Sequence, residues 1–309
     1  MKKIGKILLW VLAVIGLLSI VVWGRLLIKV NRTGEPQQIW ITPSEKTVFQ
    51  KQVAKLQAAG AYAPDSVVLR MTSVQDEARA REIREYFQLD TLYDADASTW
   101  DKALAVARFV ATNIPHNNQT VQPEKRNAIY LWEYTQTVEP AFNCRLHSIM
   151  LYELLQSLGI EAKYITCMPM DREDTDCHVV NQVWLPELEK WAMIDSDSDG
   201  TYATDATGTP LSLAEIRECY IKEVPVFYHP KLVSEGSKQI SGHHGYMAKN
   251  TYWFSCWETL HYDQEPQSDW DRGRYIHLVP CGFEPFGVGP DDCVTTDDVQ
   301  FWAAPANIQ

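Results

Sequence analysis

Residues 143–160, NCRLHSIMLYELLQSLGI, constrain the fold most. Asn143 is a natural N-cap, since its side-chain oxygen can take an orphan amide of the first turn. Met150, Leu151, Leu154, Leu155 and Leu158 keep helical spacing. Gly159 stands where a left-handed residue ends a helix, and Ile160 can fold back onto the last turn. The segment predicts a helix over 143–158 with Cys144 in its first turn. The period then changes. IEAKYITC reads as a strand, MPMDREDTD as an acidic loop, HVVNQVW as a second strand and KWAMID as a third. One helix followed by an antiparallel meander is an α+β pattern.

Three residues of this stretch carry chemistry. A helix N-terminus favours a thiolate, the nucleophilic form of cysteine, and Cys144 sits there. His178 opens the strand after the acidic loop, and Asp195 ends the next strand. If those strands pair as a hairpin, the start of one lies near the end of the other. Asp195 can then fix the tautomer of His178, whose second ring nitrogen can face Cys144. That is nucleophile, base and orienter. His147, one turn after Cys144, is a competing base, although packing suits it better. Arg145 can act on the thiol or simply lie at the surface.

Asp195 also opens D-x-D-x-D-G, the start of a calcium loop. The twelfth position is Ala206, without a side-chain oxygen. The lead-in places Trp191, Met193 and Asp195 on one face at period two, which is strand spacing. The strand reading is preferred, with Asp197 and Asp199 in a solvated turn. No metal or cofactor is expected, and His243-His244 reads as a loop. Without C-x-x-C spacing, zinc is disfavoured.

The order and context resemble the transglutaminase-like, or papain-like, superfamily. Four phrases carry the likeness: FNCR at 142–145, LQSLGI at 155–160, CHV at 177–179 and WAMID at 191–195. KALAVARFVATNI upstream and GTPLSLAEIRE downstream extend it over about 98–222. Asn143 departs from the Gly that many members carry. The resemblance implies a core in which the nucleophile-bearing helix packs on an antiparallel sheet. It also implies a Cys144–His178–Asp195 triad performing acyl transfer on amides. For the oxyanion, only the backbone N–H of Cys144 is a candidate.

Residues 7–23, ILLWVLAVIGLLSIVVW, hold no charge and follow Lys2, Lys3 and Lys6. No A-x-A cleavage site follows. The expectation is an uncleaved signal anchor within residues 1–32, with the body membrane-anchored and extracytoplasmic; a cleaved, exported chain is the alternative. The first 32 residues carry six basic groups and no acid, leaving 22 basic against 40 acidic in the body. Such a body repels phosphate backbones, so nucleic acid is excluded as a partner.

Export bears on the seven cysteines, because an oxidising compartment permits disulfides. Cys167–Cys177 and Cys281–Cys293 could each clip a loop, leaving Cys219 with Cys256. The last four allow three pairings, so the connectivity stays open. Cys144 would be the free thiol.

The remaining chain divides into a helical region over 33–97, the core over 98–225 and an aromatic, loop-rich extension over 226–309. Ser44, Ser73 and Ser98 are candidate helix caps, with Asp76 three residues after Ser73. The polar stretch PHNNQTVQPEKRNA reads as a loop. A helix is expected around IYLWEYTQ and another over SLAEIRECYIKE.

The sequence therefore points to a cysteine hydrolase or acyltransferase acting on a protein, peptide or cell-wall substrate, with hydrolysis preferred. A cell-wall amidase of the NlpC/P60 type would show DCSG where this chain has NCRL. A non-catalytic glycan- or protein-binding module on the same fold is the rival from another class. Trp253, Trp257, Trp270 and Trp302 could line its groove, although ordinary packing explains them equally well.

Overall fold

The computed structural model describes residues 43–229, 232–233, 242–265 and 274–305. The anchor expected within 1–32, most of the linker after it, and Trp270 lie outside them. Among the described residues no helix is long and apolar enough to cross a membrane.

Chain order begins with α1 (Pro43–Ala58), β1 (Thr72–Ser73), α2 (Glu77–Phe87), α3 (Thr99–Asn113), α4 (Ala128–Thr137) and α5 (Cys144–Ser157). The meander follows as β2 (Ala162–Met168), β3 (His178–Leu185) and β4 (Lys190–Asp195). Then come β5 (Thr201–Thr204), α6 (Leu213–Ile221), β6 (Phe227–His229), α7 (His243–Asn250), β7 (Trp253–Trp257) and β8 (Thr259–Leu260). The described chain ends with β9 (Tyr275–Leu278), β10 (Cys293–Thr295) and α8 (Asp298–Phe301).

Eight strands form one sheet in the order β10-β9-β7-β2-β3-β4-β5-β6, antiparallel except for β10 beside β9. Helices cover both faces, which makes a mixed α+β fold. Alternation along the central strands supplies both cores. Ala162 and Tyr164 of β2 meet α2, α3, α4 and α5 on one face. Ile165 and Cys167 meet α1, α6 and α7 on the other. Between its loops, the C-terminal stretch supplies β7, β9 and β10 to the same sheet.

The local signals explain most helix ends. Ser98 accepts the Asp101 amide and starts α3, whose Ala103, Val106, Ala107 and Val110 are buried. Ser212 and Glu215 close a reciprocal capping box on α6. Two caps differ from the sequence reading. Asp76, not Ser73, caps α2, taking the amides of Ala78 and Arg79. Ser73 instead belongs to β1, which pairs with β8. Pro43 opens α1 one residue before the expected Ser44, in keeping with the tolerance for proline in a first turn.

Helix α5 is enclosed on all sides, with every residue from Leu146 to Ser157 buried. Asn143 Oδ1 accepts the Leu146 amide at 3.1 Å. At the far end Ile160 N–H returns to the Leu155 carbonyl and Gly159 N–H to that of Gln156. This is the Schellman pattern, with Gly159 at φ 71°. Truncating Leu151 or Leu154 to Ala at this fully buried position costs about 2–5 kcal/mol. Ser148 Oγ donates to the Val179 carbonyl, and Asn181 Nδ2 to the Ser148 carbonyl, both at 2.9 Å. These two bonds lock the head of α5 against the start of β3.

Candidate active site

Cys144 is the first residue of α5, so its amide precedes any helical carbonyl that could accept it. That amide therefore has no acceptor within the helix. His178 opens β3 and Asp195 closes β4. All three residues line one cleft of about 840 Å³. His178 Nε2 donates to Asp195 Oδ2 at 2.8 Å, and both side chains are buried. That leaves Nδ1 for the thiol. The other oxygen, Asp195 Oδ1, accepts the Asp197 amide at 2.8 Å.

The electrostatics favour an ionised histidine. Burial alone would discharge His178, but the Asp195 carboxylate and the adjacent Cys144 outweigh it and hold its pKa well above 6.5. Burial likewise opposes the charge on Asp195. The His178 charge and hydrogen bond, with the Asp197 amide, win and keep its pKa below 3.8. His147 differs, because burial pulls it down to about 4 and leaves it neutral. It lies edge-on to Phe142 behind the cleft, and its Nε2 is 3.6 Å from Asp197.

Residues 76–196 match the family model of the transglutaminase-like superfamily. Over those residues the chain is similar to a transglutaminase-like core. Two solved structures are among those the chain is similar to in part. One is a provisionally named cysteine protease from Cytophaga hutchinsonii, 16% identical over 38% of this chain and 37% of its own, at a TM-score of 0.31. The other is a provisionally named protease from Parabacteroides distasonis, 12% identical over 52% of this chain and 30% of its own, at a TM-score of 0.25. This chain thus spans about a third of each. No curated protein matches the chain.

Several details of the site depart from the sequence reading. Asp197 is not solvated: it is 4% exposed and lies 2.7 Å from His116 Nδ1. The turn itself falls on Ser198 and Asp199, at φ 52° and 74°, with the Gly200 amide closing onto the Asp197 carbonyl. Two successive positive φ values are the type I′ signature. Gly200 is required here. Its φ is 76°, and a Cβ would come within 2.8 Å of Leu232 Cδ1.

The expected disulfides do not form; all seven cysteines are free thiols. The β2–β3 register pairs Cys167 with His178, not with Cys177. A one-residue offset turns a strand side chain to the opposite face. Ionic contacts pin the acidic loop instead. Lys249 of α7 reaches Asp174 at 3.0 Å and the Asp176 carbonyl at 2.7 Å. Tyr246 donates to the Cys177 carbonyl at 3.1 Å and packs its ring 5.3 Å from that of His178. Cys281 is exposed while Cys293 is buried in β10. Cys256 is buried in β7 and Cys219 half-buried on α6.

His243 and His244 belong to the first turn of α7, not to a loop. Arg145 is not a free surface cation. Its Nε and Nη2 clasp Glu265 at 3.0 and 2.5 Å, and Arg126, Tyr164 and Trp257 share that carboxylate. Trp253 is fully buried and Trp257 donates inward, so these rings build the core rather than a groove.

The sequence reading missed His116, Tyr246, Lys249 and Glu265. Tyr246 and Lys249 stand one turn apart, i and i+3, which places both on one helical face. The other two carry no local signal.

Proposed function

We propose that the protein performs thiol-dependent acyl transfer on amide bonds, with Cys144 as nucleophile, His178 as acid and base, and Asp195 as its orienter. The observation that carries this reading is the buried 2.8 Å bond from His178 Nε2 to Asp195 Oδ2, made beside a cysteine at the head of a helix. An imidazolium held by Asp195 stabilises a thiolate, then protonates the departing amine. The thiolate attacks the carbonyl carbon while the Cys144 amide faces the developing oxyanion. Water resolving the thioester gives a peptidase or amidase, the preferred outcome. An amine gives a cross-linker. The open cleft suits a protein, peptide or cell-wall chain rather than a small enclosed metabolite.

The test is an activated acyl donor. Incubation with p-nitrophenyl acetate should leave an acetyl mass on Cys144, absent from Cys144→Ala. Adding glycine ethyl ester then distinguishes water from amine as acceptor. A protein that never acquires the adduct, despite an intact fold, removes the reading.

We also propose that the body is extracytoplasmic and held to a membrane by the apolar segment 7–23. The chain should fractionate with membranes and keep its N-terminus. A released chain starting after about residue 24 would show a cleaved signal instead.

A further inference from the structure

The cleft holds a second imidazole with its own carboxylate. His116 Nδ1 lies 2.7 Å from Asp197 Oδ1. Asp197 is buried, and the same oxygen accepts the Ser198 amide at 2.8 Å. Burial and the neighbouring Asp195 raise the Asp197 pKa above 3.8, and the His116 and His178 charges oppose them. In its ionised form Asp197 only accepts, so the proton of that bond then belongs to His116 Nδ1. Nε2 is then left over. The His116 side chain is 45% exposed and lines the same cleft as Cys144 and His178.

The ring is held in place from both sides. Residues 115–119 are zipped onto the segment just before the nucleophile. Phe142 N–H reaches the Pro115 carbonyl at 3.0 Å, and Asn117 N–H reaches that of Phe142 at 2.8 Å. Gln119 Nε2 adds a bond to the Ala141 carbonyl at 2.9 Å. Beneath the ring, the Asp197 amide donates to Asp195 Oδ1, so the two His–Asp pairs are coupled through one peptide. The titratable groups facing this pair are Asp195, His178 and the buried His147. A loop staple would not need a desolvated carboxylate next to a second one. An oriented base would.

We propose that His116, oriented by Asp197, is the base that activates the acyl acceptor in the second half-reaction. The inference rests on the acyl-transfer reading above. In that step His116 Nε2 takes a proton from the attacking water or amine. The acceptor's oxygen or nitrogen bonds to the acyl carbon of the Cys144 thioester. The carbon–sulfur bond breaks and its electron pair leaves on the Cys144 sulfur. The proton on His116 then passes through solvent to restore the imidazolium at His178, which gave up its own proton to the first leaving group. Acylation and deacylation are thus divided between two imidazoles.

Stopped-flow release of p-nitrophenolate from p-nitrophenyl acetate separates the two halves, with Cys144→Ala as background. The wild type should give a burst, reporting acylation, then a slower steady rate. His116→Gln should keep the burst and lose about 10²-fold or more of the steady rate, the scale of general-base catalysis. Asp197→Asn, which can still accept from Nδ1–H, should shift the steady rate the same way by less. A steady rate unchanged in His116→Gln overturns the assignment. So does an equal fall of burst and steady rate, since that is how a staple merely positioning Cys144 would behave. If His116→Gln does not fold, Asp197→Asn decides by the same split. A wild type with no Cys144-dependent release removes the acyl-transfer reading itself, and this assignment with it.

Discussion

His178 and Asp195 meet on a diagonal. The β3–β4 register pairs Asn181 with Ile194, so its continuation sets His178 opposite Asp197 and Asp195 opposite Val180. Period two keeps His178 and Asp195 on one face, and the imidazole reaches across to Oδ2 at 2.8 Å. The opposite position, Asp197, is thereby left for His116.

This diagonal makes Asp195→Asn diagnostic. The Asn oxygen can still accept the Asp197 amide, which leaves its NH₂ facing His178 Nε2. The ring must then carry its proton on Nδ1, toward Cys144, where a base is needed. Turnover of an acyl donor should fall by orders of magnitude with the fold intact by circular dichroism; the serine-triad counterpart loses about 10⁴-fold. Asp199→Asn should leave turnover nearly unchanged, because Asn accepts the left-handed φ of 74° found there.

Cysteine accessibility and reactivity should part company. Cys281 is the exposed thiol, whereas Cys144 is half-buried at a helix head beside His178. With limiting iodoacetamide near pH 7, peptide mapping should find Cys144 modified before Cys281. His178→Ala should abolish that advantage. Cys281 reacting first in the wild type would argue against an activated nucleophile.

Glu265 should dominate stability on the acid side. Burial penalises its charge, but the Arg145 guanidinium prevails and lowers its pKa from 4.5 to about 2. A depressed carboxyl contributes stability that is present above the unfolded pKa and lost as pH falls through the folded one. Urea midpoints should therefore decline between pH 5 and pH 2 in the wild type, and less so in Glu265→Gln. At pH 7 the variant should lose about 3–5 kcal/mol, because Arg145 and Arg126 lose their buried counter-ion.

Glu153 should act in the opposite sense. It lies inside α5, accepting the Ala128 and Asp263 amides at 2.7 Å each. Burial outweighs those bonds and raises its pKa from 4.5 to about 7. A raised carboxyl contributes stability that is full below about 4.5 and lost as pH rises through about 7. The difference in urea midpoint between wild type and Glu153→Gln should shift against the wild type from pH 4.5 to pH 7.5. A pH-independent difference would contradict the assignment.

The sequence by itself determined what depends on neighbours along the chain. Asn143, Gly159 and Ile160 marked both ends of α5 because capping is a contact over three to five residues. Trp191, Met193 and Asp195 marked β4 because a strand repeats every second residue. Those two periods were enough to set Cys144 at a helix head and His178 and Asp195 at adjoining strand ends. The tertiary structure alone decided the rest. Ser73 carries the signature of a cap, yet pairing with β8 claimed it and passed the cap to Asp76. Cysteine spacing suggested clips, but the register turned Cys167 from Cys177, and Lys249 holds the loop instead. Glu265 meets Arg145 across 120 positions, and His116 meets Asp197 across 81. Such pairs form only once the sheet and both helical layers exclude water around a carboxylate that must then find a cation or a donor, and that requirement leaves no periodic trace in the chain.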